Sequence, residues 1–273
     1  MNNTTNTTSF NVSIYINGNS FEIKETQNIL KTKTAYEVLK TIGGKPLFFE
    51  EHYNRLVLST LKAQLPEISS IKVFRKAIET LVNHTNSQTG NIEITVSEYN
   101  SVIRFIPHFY PTPKQYINGI RTKPFYAERF NPNAKIKNLK LKKRVLKFIK
   151  KNKIYEALLV SSNGNITEGS RSNLFIIQDN KIITPPNNQV LKGITRQKII
   201  ELCTKNNIEI LEIPIYKSQL KTCDAAFLSG TSPGMIPIAM IGNYKKNPNH
   251  PILSRLSELY NQNVRDDIEN SSN

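Results

Sequence analysis

Two turns in the second half of the chain carry groups that bind anions. Residues 193–195 (Gly-Ile-Thr) precede a segment with helical spacing. The first N–H groups of a helix lack partners within the helix and lie at the positive end of its dipole. Residues 229–232 (Ser-Gly-Thr-Ser) combine three hydroxyl groups with a glycine that lets a ligand approach the backbone. Each turn suits a phosphate, although a glycine at a helix start is also ordinary helix punctuation.

A lysine-rich segment provides candidate amines for covalent or acid–base chemistry. Residues 135–153 contain nine lysines and Arg144. A lysine in a partly dry pocket loses its proton and then serves as a nucleophile or a base. The apolar residues Val145, Leu146 and Ile149 recur at helical spacing, so most of these lysines are predicted to form the polar face of an amphipathic helix.

The composition of the chain argues against several classes of protein and several kinds of binding site. Lys+Arg total 37 against 21 Asp+Glu, a formal net charge of +16. The lysine-rich segment nevertheless holds one aromatic residue, Phe148, and no recognisable nucleic-acid-binding module, so nucleic acid is not the predicted partner. The four histidines and two cysteines have no spacing that suits a metal ion, and we expect none. The chain also has neither a P-loop nor a dinucleotide-binding glycine fingerprint.

The sequence also predicts a cellular location. It contains no apolar run of the roughly 18 to 20 residues that cross a bilayer, so no membrane association is predicted. Cys203 and Cys223 stand in apolar contexts without a pairing pattern, which favours a reducing compartment. We therefore expect the cytoplasm. Residues 1–9 are polar and have no export-signal pattern, so they are predicted to be a short disordered tail.

Hydrophobic periodicity predicts an α+β arrangement in the first part of the chain. Two hairpins are expected over 10–24 and 35–49, two helices over 50–63 and 73–83, and a strand pair over 91–109. Closely spaced prolines then mark a domain boundary. The predicted division is an amino-terminal α+β domain (1–110), a linker (111–118) and a carboxy-terminal domain (119–273).

The second half mixes strands and helices, which indicates an α/β class for the chain as a whole. An extended segment is expected over 116–124 and the lysine-rich helix over about 138–152. A further helix is predicted over about 196–206 with Thr195 as its N-cap, and a terminal helix over 251–261.

Several strings resemble, in this order, the fold-type IV pyridoxal-phosphate enzymes, which include branched-chain and D-amino-acid aminotransferases and aminodeoxychorismate lyase. The strings are TAYEVLKTIGGKPLFFEEHYNRL (34–56), IKNLKLKKRVL (136–146), NITEGSRSNLFII (165–177), VLKGITR (190–196) and FLSGTSPGMIPI (227–238). The resemblance implies a smaller amino-terminal α+β domain, a larger carboxy-terminal mixed α/β domain, and pyridoxal 5'-phosphate between them. It also implies a homodimer.

The resemblance assigns the two central chemical roles to single residues. The Schiff-base lysine of the family falls on Lys137, with Lys135 and Lys140 as competitors on sequence alone. Glu168 matches the carboxylate that pairs with the pyridine nitrogen of the cofactor, which keeps the ring an electron sink.

The resemblance also implies residues that hold the rest of the cofactor. Arg55 matches a phosphate-binding arginine, whose planar fork suits a phosphate. Leu191 matches an apolar residue on one face of the ring, and Tyr36 an aromatic residue near cofactor and substrate. The phosphate contacts of the two turns fall on the following residues: Gly193, Ile194, Thr195, Gly230 and Thr231.

Three segments depart from the family pattern. Residues 30–34 (Leu-Lys-Thr-Lys-Thr) replace a common Gly-Asp-Gly stretch, and Lys140 replaces the asparagine of the usual Lys-x-Leu-Asn string. Residues 97–100 (Ser-Glu-Tyr-Asn) replace the Arg-x-His pair of D-amino-acid transaminases, so their carboxylate trap is absent as written.

The function that the resemblance implies is ping-pong transfer of an amino group between an amino acid and a 2-oxo acid. Aminodeoxychorismate lyase, which forms 4-aminobenzoate and pyruvate with the same cofactor and lysine, is the alternative within the family. A basic nucleic-acid-binding protein on an inactive enzyme scaffold is the alternative from another class, and it would bind nucleic acid with a steep salt dependence.

Overall fold

A computed structural model describes residues 12–25, 34–108, 110–129 and 132–271. By their contacts they form two compact units. Unit 1 comprises the described residues up to 108 together with 134–137 and 264–271, and unit 2 comprises the described residues of 110–133 and Asn138–Asn263. The predicted tail over 1–9 and residues 30–33 of the departing segment lie outside the described residues.

Unit 1 is built on a six-stranded sheet with the order β2-β1-β6-β5-β3-β4 and neighbouring strands antiparallel. Its elements are β1 (Val12–Asn17), β2 (Ser20–Glu25), β3 (Ala35–Ile42), β4 (Lys45–Pro46), α1 (Phe49–Lys62), α2 (Ile71–Thr85), β5 (Gly90–Val96) and β6 (Ser101–Ile106). Alternation along β5 gives the sheet two different faces. Ile92, Ile94 and Val96 join the apolar core with residues of both helices, whereas Glu93 and Thr95 alternate with them and belong to the other face.

Unit 2 contains a mixed sheet of ten strands, with the order β12-β11-β10-β14-β15-β7-β8-β9-β13 and β16 paired to β15. Its strands are β7 (Ile120–Tyr126), β8 (Glu156–Val160), β9 (Asn165–Gly169), β10 (Asn173–Gln178), β11 (Lys181–Thr184), β12 (Ile210–Glu212), β13 (Ile215–Tyr216), β14 (Ala225–Gly230), β15 (Gly234–Ile241) and β16 (Tyr244–Lys245). Its helices are α3 (Pro113–Asn118), α4 (Leu139–Asn152), α5 (Ile194–Lys205) and α6 (Gln219–Thr222). The rings of Phe175 and Phe227, which are directly opposite each other on β10 and β14, stack 4.7 Å apart and tie these two strands together.

The last helix, α7 (Pro251–Asn270), is longer than the sequence predicted. Apolar periodicity fades after Tyr260, so the expected helix ended at 261. Contacts within unit 1 hold its last turns. Asp267 accepts a hydrogen bond from the Phe48 N–H at 2.8 Å, and the Ile268 carbonyl accepts one from the Lys45 amine at 3.1 Å.

Residues 134–137 fall, along the sequence, within the predicted domain 119–273, and that division stays a prediction. They pair with the start of β3: Ala35 and Ile136 form an antiparallel bridge, the Tyr36 N–H donates to the Lys135 carbonyl at 3.0 Å, and the Lys137 N–H donates to the Thr34 carbonyl at 3.2 Å. The contacts of this stretch therefore belong to unit 1.

Two local predictions were wrong. Residues 116–118 of the predicted extended segment are the end of the helix α3, which begins at a reciprocal capping box of Thr112 and Gln115. Helix α5 begins at Ile194 with Gly193 in extended geometry as its N-cap, so Thr195 lies inside the first turn and is not the cap. None of the helices among the described residues is long and apolar enough to cross a membrane.

Candidate active site

Lys137 projects its amine onto the polar face of the unit 1 sheet. Its Nζ lies 3.1 Å from Glu93 Oε1 and donates a hydrogen bond of 3.1 Å to Thr95 Oγ1. It also lies 5.6 Å from the centre of the Tyr36 ring. Tyr36 and Thr95 are directly opposite each other on β3 and β5. The sheet register therefore brings the aromatic ring, the hydroxyl and the carboxylate to one amine.

Glu93 is shared between two cations. Arg104, its direct partner on β6, donates from Nη2 to Glu93 Oε2 at 3.0 Å. Burial alone would raise the pKa of Glu93, but the charges of Lys137 and Arg104 and their hydrogen bonds hold this pKa below its ordinary value. The carboxylate next to Lys137 is thus ionised at neutral pH.

A second charged cluster of unit 1 is centred on the fully buried Glu37. Arg55 on α1 donates to it twice, from Nε to Oε1 and from Nη2 to Oε2, each at 2.7 Å. His52 Nδ1 lies 2.8 Å from Oε2, and the Lys135 amine 3.8 Å from the same oxygen. Burial would raise the pKa of Glu37, but these cations and hydrogen bonds hold it well below the usual range. Burial lowers the pKa of His52, so the imidazole is neutral and donates to the carboxylate.

In unit 2, Glu168 places a buried carboxylate at the end of β9, with 2% of the residue exposed. The Leu191 N–H donates to its Oε2 at 3.3 Å, and Arg129 Nε lies 2.8 Å from its Oε1. The following residue, Gly169, has no room for a side chain, because an added Cβ would lie 2.2 Å from Ser172 Oγ. A larger residue there would displace the Ser172 hydroxyl and the Glu156 carboxylate, which lies 2.5 Å from the same Cβ position.

Leu191 connects Glu168 to the start of α5. The Asn173 amide donates to the Leu191 carbonyl at 2.9 Å, and the Gly193 N–H donates to the same carbonyl at 2.7 Å. A Cβ on Gly193 would lie 2.0 Å from Asn173 Oδ1. Glycine is therefore required here for space, since its φ of −65° is open to any residue.

The beginning of α5 and the end of β14 fit an anion such as a phosphate. The N-cap of α5 is Gly193, which has no side chain to cap the first N–H groups of the helix, and these groups carry the positive end of the helix dipole. On β14, Ser229 is directly opposite Asn173, and its buried hydroxyl makes no hydrogen bond within the described part of the chain. A buried hydroxyl without a partner costs free energy, and a phosphate oxygen is a group that would satisfy it.

The structure brings the predicted residues together in two separate groups. In unit 1, Lys137 and Tyr36 are neighbours, whereas Arg55 lies in the Glu37 cluster. Of the competing lysines, Lys135 belongs to the Glu37 cluster, and Lys140 is exposed on α4.

The second group lies in unit 2. Glu168, Leu191 and Gly193 form a chain of contacts that ends at the first turn of α5, where Ile194 and Thr195 lie. Gly230 ends β14 and Thr231 follows it, partly exposed.

Four contacting residues were not predicted from the sequence: Glu37, Glu93, Arg129 and Asn173. Ser229 was predicted only as one hydroxyl of the anion-binding turn 229–232. The alternation of Asn91, Glu93 and Thr95 with apolar residues on β5 was a signal for a polar sheet face. Arg129 follows β7 without any local pattern, so its pairing with Glu168 needed the fold. The described residues contain no cluster of His, Cys, Asp and Glu side chains that could hold a metal ion.

Comparison with known proteins gives relatives of two kinds. The chain is 28% identical to a "D-alanine aminotransferase" of Listeria monocytogenes over 252 residues, which cover 84% of this chain and 86% of the relative. It is 42% identical to a "Probable branched-chain-amino-acid aminotransferase" of Aquifex aeolicus over 118 residues. The second match covers 42% of this chain and 38% of the relative, so it spans well under half of that protein.

Solved structures share the fold. The branched-chain aminotransferase of the archaeon Thermoproteus uzoniensis, with norvaline, superposes with a TM-score of 0.80 at 20% identity and covers 93% of this chain and 95% of its own. At this identity the likeness concerns the fold, which is that of the fold-type IV enzymes, as the sequence predicted. The model of the family described as "Amino-transferase class IV" matches residues 34–241, about three quarters of the sequence. The chain therefore belongs to the class IV aminotransferase family.

Proposed function

We propose that this chain is a pyridoxal-phosphate-dependent aminotransferase that transfers an amino group between an amino acid and a 2-oxo acid by a ping-pong sequence. Family membership supports the reaction class. The observation that carries the proposal is the continuous arrangement in unit 2 of a buried carboxylate, Glu168, with the start of α5, through Leu191 and Gly193. A carboxylate for a protonated ring nitrogen and a helix end for a phosphate are the two groups that a phosphorylated pyridine requires.

In this proposal the residues of unit 2 bind and orient the cofactor. When bound, the cofactor supplies an aldehyde and a pyridinium ring that withdraws electrons from the substrate Cα. Glu168 keeps a proton on the ring nitrogen, and Leu191 packs against one ring face. The N–H groups of Ile194 and Thr195 hold the phosphate, with the hydroxyl of Thr231 as a further donor.

Lys137 is the proposed covalent and proton-transferring residue. Its amine would hold the cofactor at the aldehyde carbon, and its Nζ, when free, would take the proton from the substrate Cα. Tyr36 limits where the amine moves, because the ring lies beside Nζ. Arg55 is proposed as a further phosphate donor, and its two hydrogen bonds to Glu37 fix the plane of its guanidinium.

The homodimer and the cytoplasmic location remain predictions. The sequence supports the location through Cys203 and Cys223, which are both buried free thiols in the structure. The departures at 30–34 and 97–100 concern the choice of substrate, which a panel of amino acids will determine.

The test is an absorption spectrum of the full chain with pyridoxal phosphate, before and after addition of L- and D-amino acids. A visible band that borohydride bleaches with attachment to one lysine is the expected result. Its loss with one enantiomeric series, and its return with a 2-oxo acid, would identify the transamination partners. A chain that forms no such band overturns the proposal.

The same preparation distinguishes the remaining outcomes. Amino transfer to 2-oxoglutarate supports the aminotransferase. Pyruvate release from aminodeoxychorismate without an acceptor would instead assign the lyase reaction. Binding of nucleic acid that weakens steeply with salt, without a visible band, would assign the scaffold to another class.

A further inference from the structure

The surroundings of the Lys137 amine contain an acid that the proposed chemistry has not used. Glu93 Oε1 lies 3.1 Å from Lys137 Nζ, and 12% of the Glu93 side chain is exposed against 25% for Lys137. At this distance and burial, an ionised carboxylate favours a positive charge on the amine. The proton at Nζ is therefore stabilised from the β5 side.

The position of this acid is fixed by the sheet. Glu93 and Thr95 are two residues apart on β5, so both side chains leave the same face. Thr95 Oγ1 accepts from Nζ at 3.1 Å, which gives the amine two acceptors in one direction. The backbone of Lys137 is itself held by the bond from its N–H to the Thr34 carbonyl at 3.2 Å. Lys137 is therefore held both at its backbone and at its amine.

A nearby positive charge weakens the effect of Glu93 on the proton of the Lys137 amine. Arg104 donates to the other carboxylate oxygen at 3.0 Å and competes with Lys137 for its charge. Lys135 lies 5.5 Å from the centre of the Tyr36 ring, which Lys137 also approaches. The charge of Lys135 is paired with Glu37. Arg104 is therefore the cation that opposes a proton on Lys137, whereas Glu93 favours it. The Lys137 amine must be neutral to attack an aldehyde. Its protonation is favoured by one neighbouring charge and disfavoured by the other.

We propose that Glu93 is a positioning residue: it orients the Lys137 side chain and stabilises the proton on the Lys137 amine. Arg104, which binds the same carboxylate, weakens this stabilisation. The contacts that carry this proposal all lie in unit 1. Its bearing on turnover rests on the proposed function.

The test measures the Lys137 proton directly in the full chain without added cofactor. Brief labelling with acetic anhydride modifies only unprotonated amines, and peptide mass spectrometry gives the labelled fraction of Lys137 against pH, with the exposed Lys143 as an internal standard. In Glu93→Gln we expect the midpoint of the Lys137 profile to fall by about 1 pH unit. In Arg104→Gln we expect it to rise. Glu98→Gln, an exposed change in the same hairpin, should leave it unmoved.

A purely structural role for Glu93 would change how much Lys137 is labelled at high pH but not the midpoint. An unchanged midpoint in Glu93→Gln overturns the proposal. If that variant does not fold, the Arg104→Gln variant decides the question. A Lys137 midpoint that is unchanged or lower in this variant contradicts the proposed opposition between Arg104 and Glu93. Failure of the proposed function looks different: Lys137 would titrate as expected, yet the wild-type chain would form no borohydride-trapped adduct with pyridoxal phosphate.

Discussion

Each of the two units holds its own candidate residues, and the two do so by different kinds of contact. In unit 1, Lys137 and Arg55 are each held by a carboxylate, Glu93 and Glu37 respectively. In unit 2, Glu168 is held by the Arg129 side chain and by the Leu191 N–H, and the backbone of Gly193 and the first turn of α5 supply further donors. We therefore expect substitutions of charged residues and changes of pH to affect unit 1. In unit 2 we expect the loss of stability to come from side chains added at a tightly packed glycine.

The largest effect is expected at the amine itself. Lys137→Ala should lower turnover by roughly 10⁴-fold, the upper range for loss of an acid–base group, and should abolish borohydride-trapped labelling. Lys140→Ala, an exposed change on α4, should leave labelling and turnover near wild type. Steady-state kinetics and peptide mapping give both results. Labelling that persists in Lys137→Ala would move the covalent role to Lys135 or Lys140.

A large loss of stability is expected when the Glu37 cluster of unit 1 loses its carboxylate. Glu37→Gln leaves the buried guanidinium of Arg55 without its charged partner, which should cost about 3 kcal/mol of unfolding free energy. Glu50→Gln removes an exposed partner of Arg75 on α1, and exposed pairs contribute about 0–1 kcal/mol. Urea unfolding compares the two variants. Equal costs would mean that burial does not distinguish this cluster.

The matching test of unit 2 adds one carbon atom. Gly193→Ala places a Cβ 2.0 Å from Asn173 Oδ1, so Asn173 must move and its bond to the Leu191 carbonyl is lost. We expect a cost of about 1–3 kcal/mol, as for overpacking elsewhere. Gly230→Ala is the control, because its nearest non-bonded atom would be 3.6 Å away. Similar urea midpoints for the two variants would contradict the assignment of Gly193 to a position limited by space.

The smallest effect concerns pH and again distinguishes unit 1. Burial lowers the pKa of His52, so below the ordinary value of 6.5 the unfolded chain binds a proton that the folded chain does not. Stability from this group is present above pH 6.5 and is lost as pH falls, by at most about 1.4 kcal/mol per pH unit.

His52→Asn should remove that part of the slope, whereas His84→Asn, at an exposed position of α2, should not. Urea unfolding between pH 7 and pH 5 measures both slopes. A slope that survives in His52→Asn would assign it to other groups.

The local sequence pattern was enough to predict the bounds of most helices and strands, but not of those whose ends are held by contacts with distant residues. The alternation of β5 and the helical spacing of α4 were predicted closely, because each follows from the side chains of the element itself. The end of α7 was not, since Asp267 and Ile268 are held by bonds to residues more than 200 positions earlier. The start of α5 was misplaced by two residues, because the space at Gly193 depends on Asn173 of another strand.

The sequence by itself determined the class of fold, the glycine before α5 and the family to which the motif strings belong. The tertiary structure alone decided which charges surround each amine. It pairs 134–137 with β3 and sets Glu93 opposite Arg104, so that Lys137 meets Glu93 while Lys135 meets Glu37. The reason is physical: motif strings are contiguous along the chain, whereas electrostatic interactions depend on distances of a few ångströms that strand register fixes.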